Sequence, residues 1–164
     1  MNDAEAAVLV PGRPEHAAVV VGWVRSSPYS RPWLGAGGDD EAILARWAAL
    51  DGATQWVLET ASGTPVAYGE VWVEPEEDEA ELAHLVVDPA RRGDGFGREL
   101  VARLGAYAAE LAALVALRVD PDNTHAQAVY AGCGYERFPA AEEAAFNEGQ
   151  PAAYVWMRRV APAP

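Results

Sequence analysis

A chain of 164 residues with 51% apolar content has the length of one ordinary domain and enough apolar surface for one core. Its twelve basic residues are all arginine and face 25 acids, a formal charge of −13; such a field repels nucleic acid and anionic membrane and favours cationic partners, or simply keeps the chain soluble. The one cysteine, Cys133, excludes an internal disulfide, the scattered His16, His84 and His125 make no metal-ligand pattern, and no run approaches the roughly 18 apolar residues of a membrane span.

The opening MNDAEAAVLVPGR has neither the basic start nor the cleavage site of a signal peptide, so a cytoplasmic protein is expected. Residues 7–11 read as a first strand ended by proline. From Pro14 the spacing of Ala17, Val20, Val21 and Val24 predicts a helix. The stretch 26–38, dense in proline and glycine, reads as a loop, and Asp39 or Asp40 caps a second helix with Ile43, Leu44, Trp47 and Leu50 on one face.

After Asp51-Gly52 the period changes to two. Residues 55–60 and 65–73 predict strands joined by a tight turn, and the acidic run 74–79 separates them from a third strand, 80–88; three consecutive antiparallel strands is the economical reading. Helical spacing resumes from Gly97 to Leu114, followed by a buried strand, LVALRV (114–119). This order implies a right-handed crossover with the strands at 80–88 and 114–119 near parallel. A short helix at 124–131, a strand at 135–138, an Ala/Glu-rich connection at 140–150, a last strand at 153–159 and a frayed APAP tail complete the chain.

Between the third strand and the long helix lies PARRGDGFGREL, Pro89 to Leu100. Strand, glycine-rich loop and helix N-terminus make a phosphate cradle, because glycine lets backbone approach a ligand and the first helical N–H groups carry partial positive charge. A P-loop needs a lysine that this chain lacks, and the dinucleotide pattern GxGxxG fails because position 98 is arginine. What does fit is Arg92-x-x-Gly95-x-Gly97 after Val86-Val87-Asp88-Pro89. Downstream, Asn123, Ala126, Tyr130, Gly134 and Tyr135 follow the strand 114–119 in fixed spacing.

Together these two motifs resemble the GNAT superfamily of acetyl-CoA-dependent N-acetyltransferases, over residues 53–138 by motif and over the first 50 by element order. The resemblance implies one mixed α/β domain spanning 1–164, with a mainly antiparallel central sheet flanked by helices and splayed between the strands at 80–88 and 114–119. It implies acetyl-CoA as cosubstrate and no metal. The pyrophosphate would lie on the loop Arg91, Arg92, Gly93, Asp94, Gly95, Phe96, Gly97 and Arg98, and the acetyl-pantetheine arm on main-chain groups around Leu85, Val86 and Val87. Asn123 caps the short helix and contacts the coenzyme; Tyr130 donates to its sulfur.

An attacking amine must lose its proton. Glu81 is the candidate base, placed by period-two counting on the same face as Leu85, with Glu70 and Glu74 on the preceding strand as alternates and His84 on the opposite face. Substrate contacts are expected from Trp33, Glu70 and Glu81. Aromatic and acidic groups together suit a small cationic amine such as a polyamine, an aminoglycoside or an amino-acid-like compound. The alternatives are a protein or peptide amine as acceptor, or a silent acyl-CoA-binding domain. An open edge at the last strand would suit a homodimer, a point the residues leave undecided.

Overall fold

The computed structural model describes residues 6–160, so the opening residues and the APAP tail lie outside it. The first strand is β1 (Ala7–Pro11), and a 3-10 turn at Pro14–His16 leads into α1 (Ala17–Arg25), which buries Ala17, Val20, Val21, Trp23 and Val24. Proline suits that entry because its missing N–H would have had no partner in a first turn. A second 3-10 turn, Arg31–Leu34, interrupts the loop, and α2 (Asp40–Ala48) is capped by the Asp39 carboxylate, which accepts the Ala42 N–H at 2.8 Å. Leu50, expected on the buried face of α2, lies past the end of the helix and is 44% exposed.

The strands β2 (Ala53–Thr60), β3 (Pro65–Glu74) and β4 (Glu79–Val87) form the antiparallel meander, and α3 (Phe96–Leu111) crosses to β5 (Leu114–Val119), which is parallel to β4. Next come α4 (Thr124–Gly132), β6 (Tyr135–Arg137), α5 (Ala140–Asn147) and β7 (Val155–Arg159). Among the described residues the sheet has seven strands in the order β1-β2-β3-β4-β5-β7-β6, a mixed, mainly antiparallel sheet with helices on both faces. The last strand is therefore interior, between β5 and β6, and the edges belong to β1 and β6.

Each face carries its own core. On one, Leu100, Leu104 and Ala108 of α3 pack on Val66, Leu82, Leu117 and Met157. On the other, α1 and α2 cover Val57, Tyr68 and Val86. The β4–β5 ladder pairs residues 79–82 with 114–117 and stops, while both strands run on, so the sheet opens between them.

One irregularity in β4 decides which side chains face which way. Ala83 pairs with Glu70 and Val86 with Tyr68, so two residues, His84 and Leu85, stand opposite the single Gly69. His84 takes up the bulge with φ of 48°, a left-handed conformation in which histidine is one of the more tolerated residues. Side-chain alternation shifts by one at that point. Leu85 packs with Leu82 on the α3 side, whereas Glu81 lies on the opposite face beside its pairing partner Trp72. Strict period-two counting put Glu81 with Leu85 and His84 against them; both placements are wrong for this one reason. His84 shares the face of Glu81.

Candidate active site

The loop after β4 is braced by its own side chains. Asp88 accepts the Ala90 N–H at 2.9 Å, Arg91 pairs with Asp94 at 2.8 Å, and the Arg91 guanidinium lies 4.8 Å over the Phe96 ring. Gly93 and Gly95 have φ of 89° and 93°, with open space where a Cβ would stand. Gly95 is the N-cap of α3 and brings no side chain to close the helix end. The first N–H groups of a sixteen-residue helix are therefore left without a side-chain cap, and the exposed Arg92 stands three residues before the N-cap, an arrangement suited to anionic oxygens. Phe96 itself is buried, so only its backbone belongs to this cradle. Gly97 lets α3 sit tight on β4: a Cβ there would stand 3.3 Å from Val87.

Beyond Leu82, β4 has lost its β5 neighbour. The Asp88 N–H bonds to Val66 on β3 at 2.9 Å; because successive N–H groups alternate in direction, that of Val86 also turns to β3 while those of Leu85 and Val87 turn to the open side. On the far side of the opening, Asn123 caps α4 by accepting the Ala126 N–H at 3.2 Å. The Arg98 guanidinium donates to the Gly132 carbonyl at 3.3 Å and holds α4 against the start of α3. Tyr130 is half-buried on this helix, and burial pushes its hydroxyl up to about 12, so it stays protonated at neutral pH.

On the α1/α2 face, Glu81 contacts the Arg118 guanidinium, Oε1 to Nε, at 2.8 Å. Burial pushes its carboxyl up to about 7, partly offset by Arg118. A cavity of about 390 Å³ opens here, walled by Trp72, Trp156 and Phe146 and rimmed by Glu74, Glu79 and Glu81. The sides of the opening thus differ in chemistry: the helix end and Tyr130 on one, carboxylates and indoles on the other.

The family description "Acetyltransferase (GNAT) family" matches residues 17–135. The chain belongs to the GNAT family. It is 44% identical over 66 residues to mycothiol acetyltransferase of Kineococcus radiotolerans, a match covering 40% of this chain and 22% of that longer protein. A chimera of the Vibrio cholerae spermidine N-acetyltransferase with hSSAT superposes with a TM-score of 0.71 at 17% identity, covering 94% of this chain and 95% of that one. A GNAT acetyltransferase of Staphylococcus aureus superposes at 0.67 and 13%, covering 94% and 98%. These likenesses support the fold, and the match spans about a fifth of the length of the curated relative.

Within this GNAT fold the expected residues divide. Leu85, Val87 and the loop 92–97 follow the point where β4 leaves β5, and Asn123 and Tyr130 stand on α4, which follows β5. Glu81 lies on the cavity, with Glu74 at its rim. Glu70, expected to touch substrate, is 0% exposed and presents no surface to a ligand. It accepts from the Tyr68 hydroxyl at 2.5 Å and the Trp72 indole at 2.6 Å, and lies 3.1 Å from His84 Nδ1. Trp33 reaches the neighbourhood through His84, whose ring stands 4.9 Å from it and 4.4 Å from Trp47.

Sequence reasoning passed over Trp72, Trp156 and Arg118. A signal for the last was present, since an arginine inside the apolar run LVALRV must find a partner. No group of three or more His, Cys, Asp or Glu among the described residues could hold a metal ion, and no described helix is long and apolar enough to cross a membrane.

Proposed function

We propose that this protein moves the acetyl group of acetyl-CoA to a primary amine of a small cationic compound, by direct attack in a ternary complex. The observation that carries the reading is the pairing of an acid-rimmed, indole-walled cavity at Glu81 with an anion cradle and Tyr130 across one break in the sheet. Glu81 takes the proton of the incoming ammonium. The main-chain N–H groups of Leu85 and Val87 hold the acyl carbonyl, and Tyr130 gives its proton to the thiolate as the new C–N bond replaces the C–S bond; the second proton lost by the acylated nitrogen restores the Tyr130 hydroxyl by way of solvent, and the proton on Glu81 is released to solvent. The residues fit the cosubstrate: uncapped N–H groups of the α3 N-terminus and Arg92 meet the pyrophosphate, and Asn123 lies beside the arm. The spermidine N-acetyltransferases among the structural neighbours support a cationic acceptor. One of them is dodecameric, which supports self-association here too. The proposal places the activity in one cytoplasmic domain.

A panel of polyamines, aminoglycosides, amino acids and short peptides, mixed with acetyl-CoA, tests the reading by free-thiol release and product mass. Release that depends on a small cationic amine, with a product heavier by one acetyl group, is expected. Release with peptides alone would move the acceptor class, and silence with acetyl-CoA binding intact would leave a binding domain.

The cradle is testable without an acceptor. Gly95→Val puts a β-branched residue at φ of 93° and a side chain into the open space beside the helix end. Acetyl-CoA affinity by calorimetry should fall about tenfold, because the free valine loop relaxes out of the left-handed backbone and regaining it on binding costs roughly 1–2 kcal/mol.

A further inference from the structure

Arg118 stands on β5 one residue beyond the last β4–β5 pair, Leu82 with Leu117, at the point where the strands part. Its guanidinium is held from several directions. It donates to Gln150 Oε1 at 2.5 Å, lies 5.8, 5.4 and 5.3 Å from the ring centroids of Trp72, Tyr154 and Trp156, and meets Glu81 Oε1 at 2.8 Å. These contacts come from β3, β4, β7 and the segment after α5. A planar cation gripped in this way is a stationary charge rather than a swinging one.

The charged neighbours of Glu81 make that charge consequential. The remaining ionisable groups at the cavity are Glu79 on β4, Glu74 on β3 and Asp51 before β2, all acids. Farther along the same face, His84 and Glu70 contact each other. Burial and acidic neighbours all favour a proton on Glu81, and a protonated carboxyl is no base. Among the described residues Arg118 is the cation in contact with it: Oε1 lies buried 2.8 Å from the guanidinium Nε without an aligned hydrogen bond, so the contact acts through charge.

We propose that Arg118 is the positioning residue for Glu81: held at contact distance, it supplies the positive charge that keeps the carboxylate available as a base at neutral pH. This rests on the reading of Glu81 as the base. A staple that merely ties β5 to β3, β4 and β7 would give the same contacts without the electrostatic consequence.

Titration of the glutamate side-chain carboxyls by carbon-13 NMR in the full chain, with Glu81→Gln assigning the resonance, separates the two and needs no acceptor. In Arg118→Met the Glu81 midpoint should rise by about one pH unit or more, the effect of removing an opposite charge at contact distance. Arg118→Lys keeps the charge and should shift it less than half as far. An unmoved or lowered midpoint in Arg118→Met overturns the proposal. If that variant does not fold, Gln150→Leu frees the guanidinium while keeping the charge, and an upward midpoint shift supports the proposal where an unchanged one sinks it. Full activity of Glu81→Gln would remove the base assignment while leaving the titration result standing, so the two failures are distinct.

Discussion

Glu81→Gln is expected to lower kcat about a thousandfold at pH 8, within the range of roughly 10²–10⁴ for loss of a positioned general base, while acetyl-CoA affinity stays within about threefold of the parent's. Glutamine keeps the volume beside Trp72 and leaves a carbonyl oxygen facing Arg118, so the fold should persist. What it loses is the capacity to take a proton. The wild-type pH profile carries the same information. Because burial pushes the Glu81 carboxyl up to about 7, the working form is the deprotonated one above that value. kcat/KM should therefore rise with pH through about 7 and run about tenfold below its plateau one pH unit lower, before any further gain from deprotonation of the acceptor. A profile flat from pH 6 to 8, or a Gln variant within threefold of the parent, would remove Glu81 from the reaction.

Tyr130→Phe is the second large effect, with an expected fall in kcat of about a hundredfold, the lower end of what a positioned acid contributes. Phenylalanine keeps the ring that packs between α4 and the α3-side core, so thermal stability and acetyl-CoA binding should change little. The loss should appear in kcat rather than in the KM for either substrate, since in the proposed reaction the hydroxyl acts on the sulfur as it leaves and not on the ground state. With its pKa raised to about 12 by burial, the hydroxyl remains protonated through the neutral range, so Tyr130 should add no falling limb to the rate profile there. Unchanged turnover in the Phe variant would assign Tyr130 to packing alone. Equal loss of turnover and coenzyme binding would instead make it a binding residue.

The elements on which the site is built were legible locally. The loop 89–97 could be read as a cradle because glycines at 93 and 95 permit left-handed backbone and open a helix end whatever surrounds them. Asn123 could be read as a cap and Tyr130 placed seven residues on, because capping and helical spacing are short-range. The 3.6-residue period over α1 and α3 and the change of period after Gly52 placed the helices against the strands. The mixed sheet and its parallel pair followed from the handedness of a strand–helix–strand crossover.

What the sequence by itself determined, then, was the family, the strand–loop–helix cradle, and the identity of Glu81 and Tyr130 as the groups worth testing. Only the tertiary structure decided which way the acceptor-side groups face. The bulge at His84 exists because two residues of β4 meet one of β3, a property of pairing between strands that no period within β4 contains. Glu70 withdrew from the cavity because Tyr68, Trp72 and His84 converge on it. Arg118 reached Glu81 because β5 leaves β4 at that residue while Gln150, Tyr154 and Trp156 return from more than thirty residues away. Local backbone preference sets a loop or a cap, whereas the position and charge of a buried carboxylate depend on partners that only folding brings together.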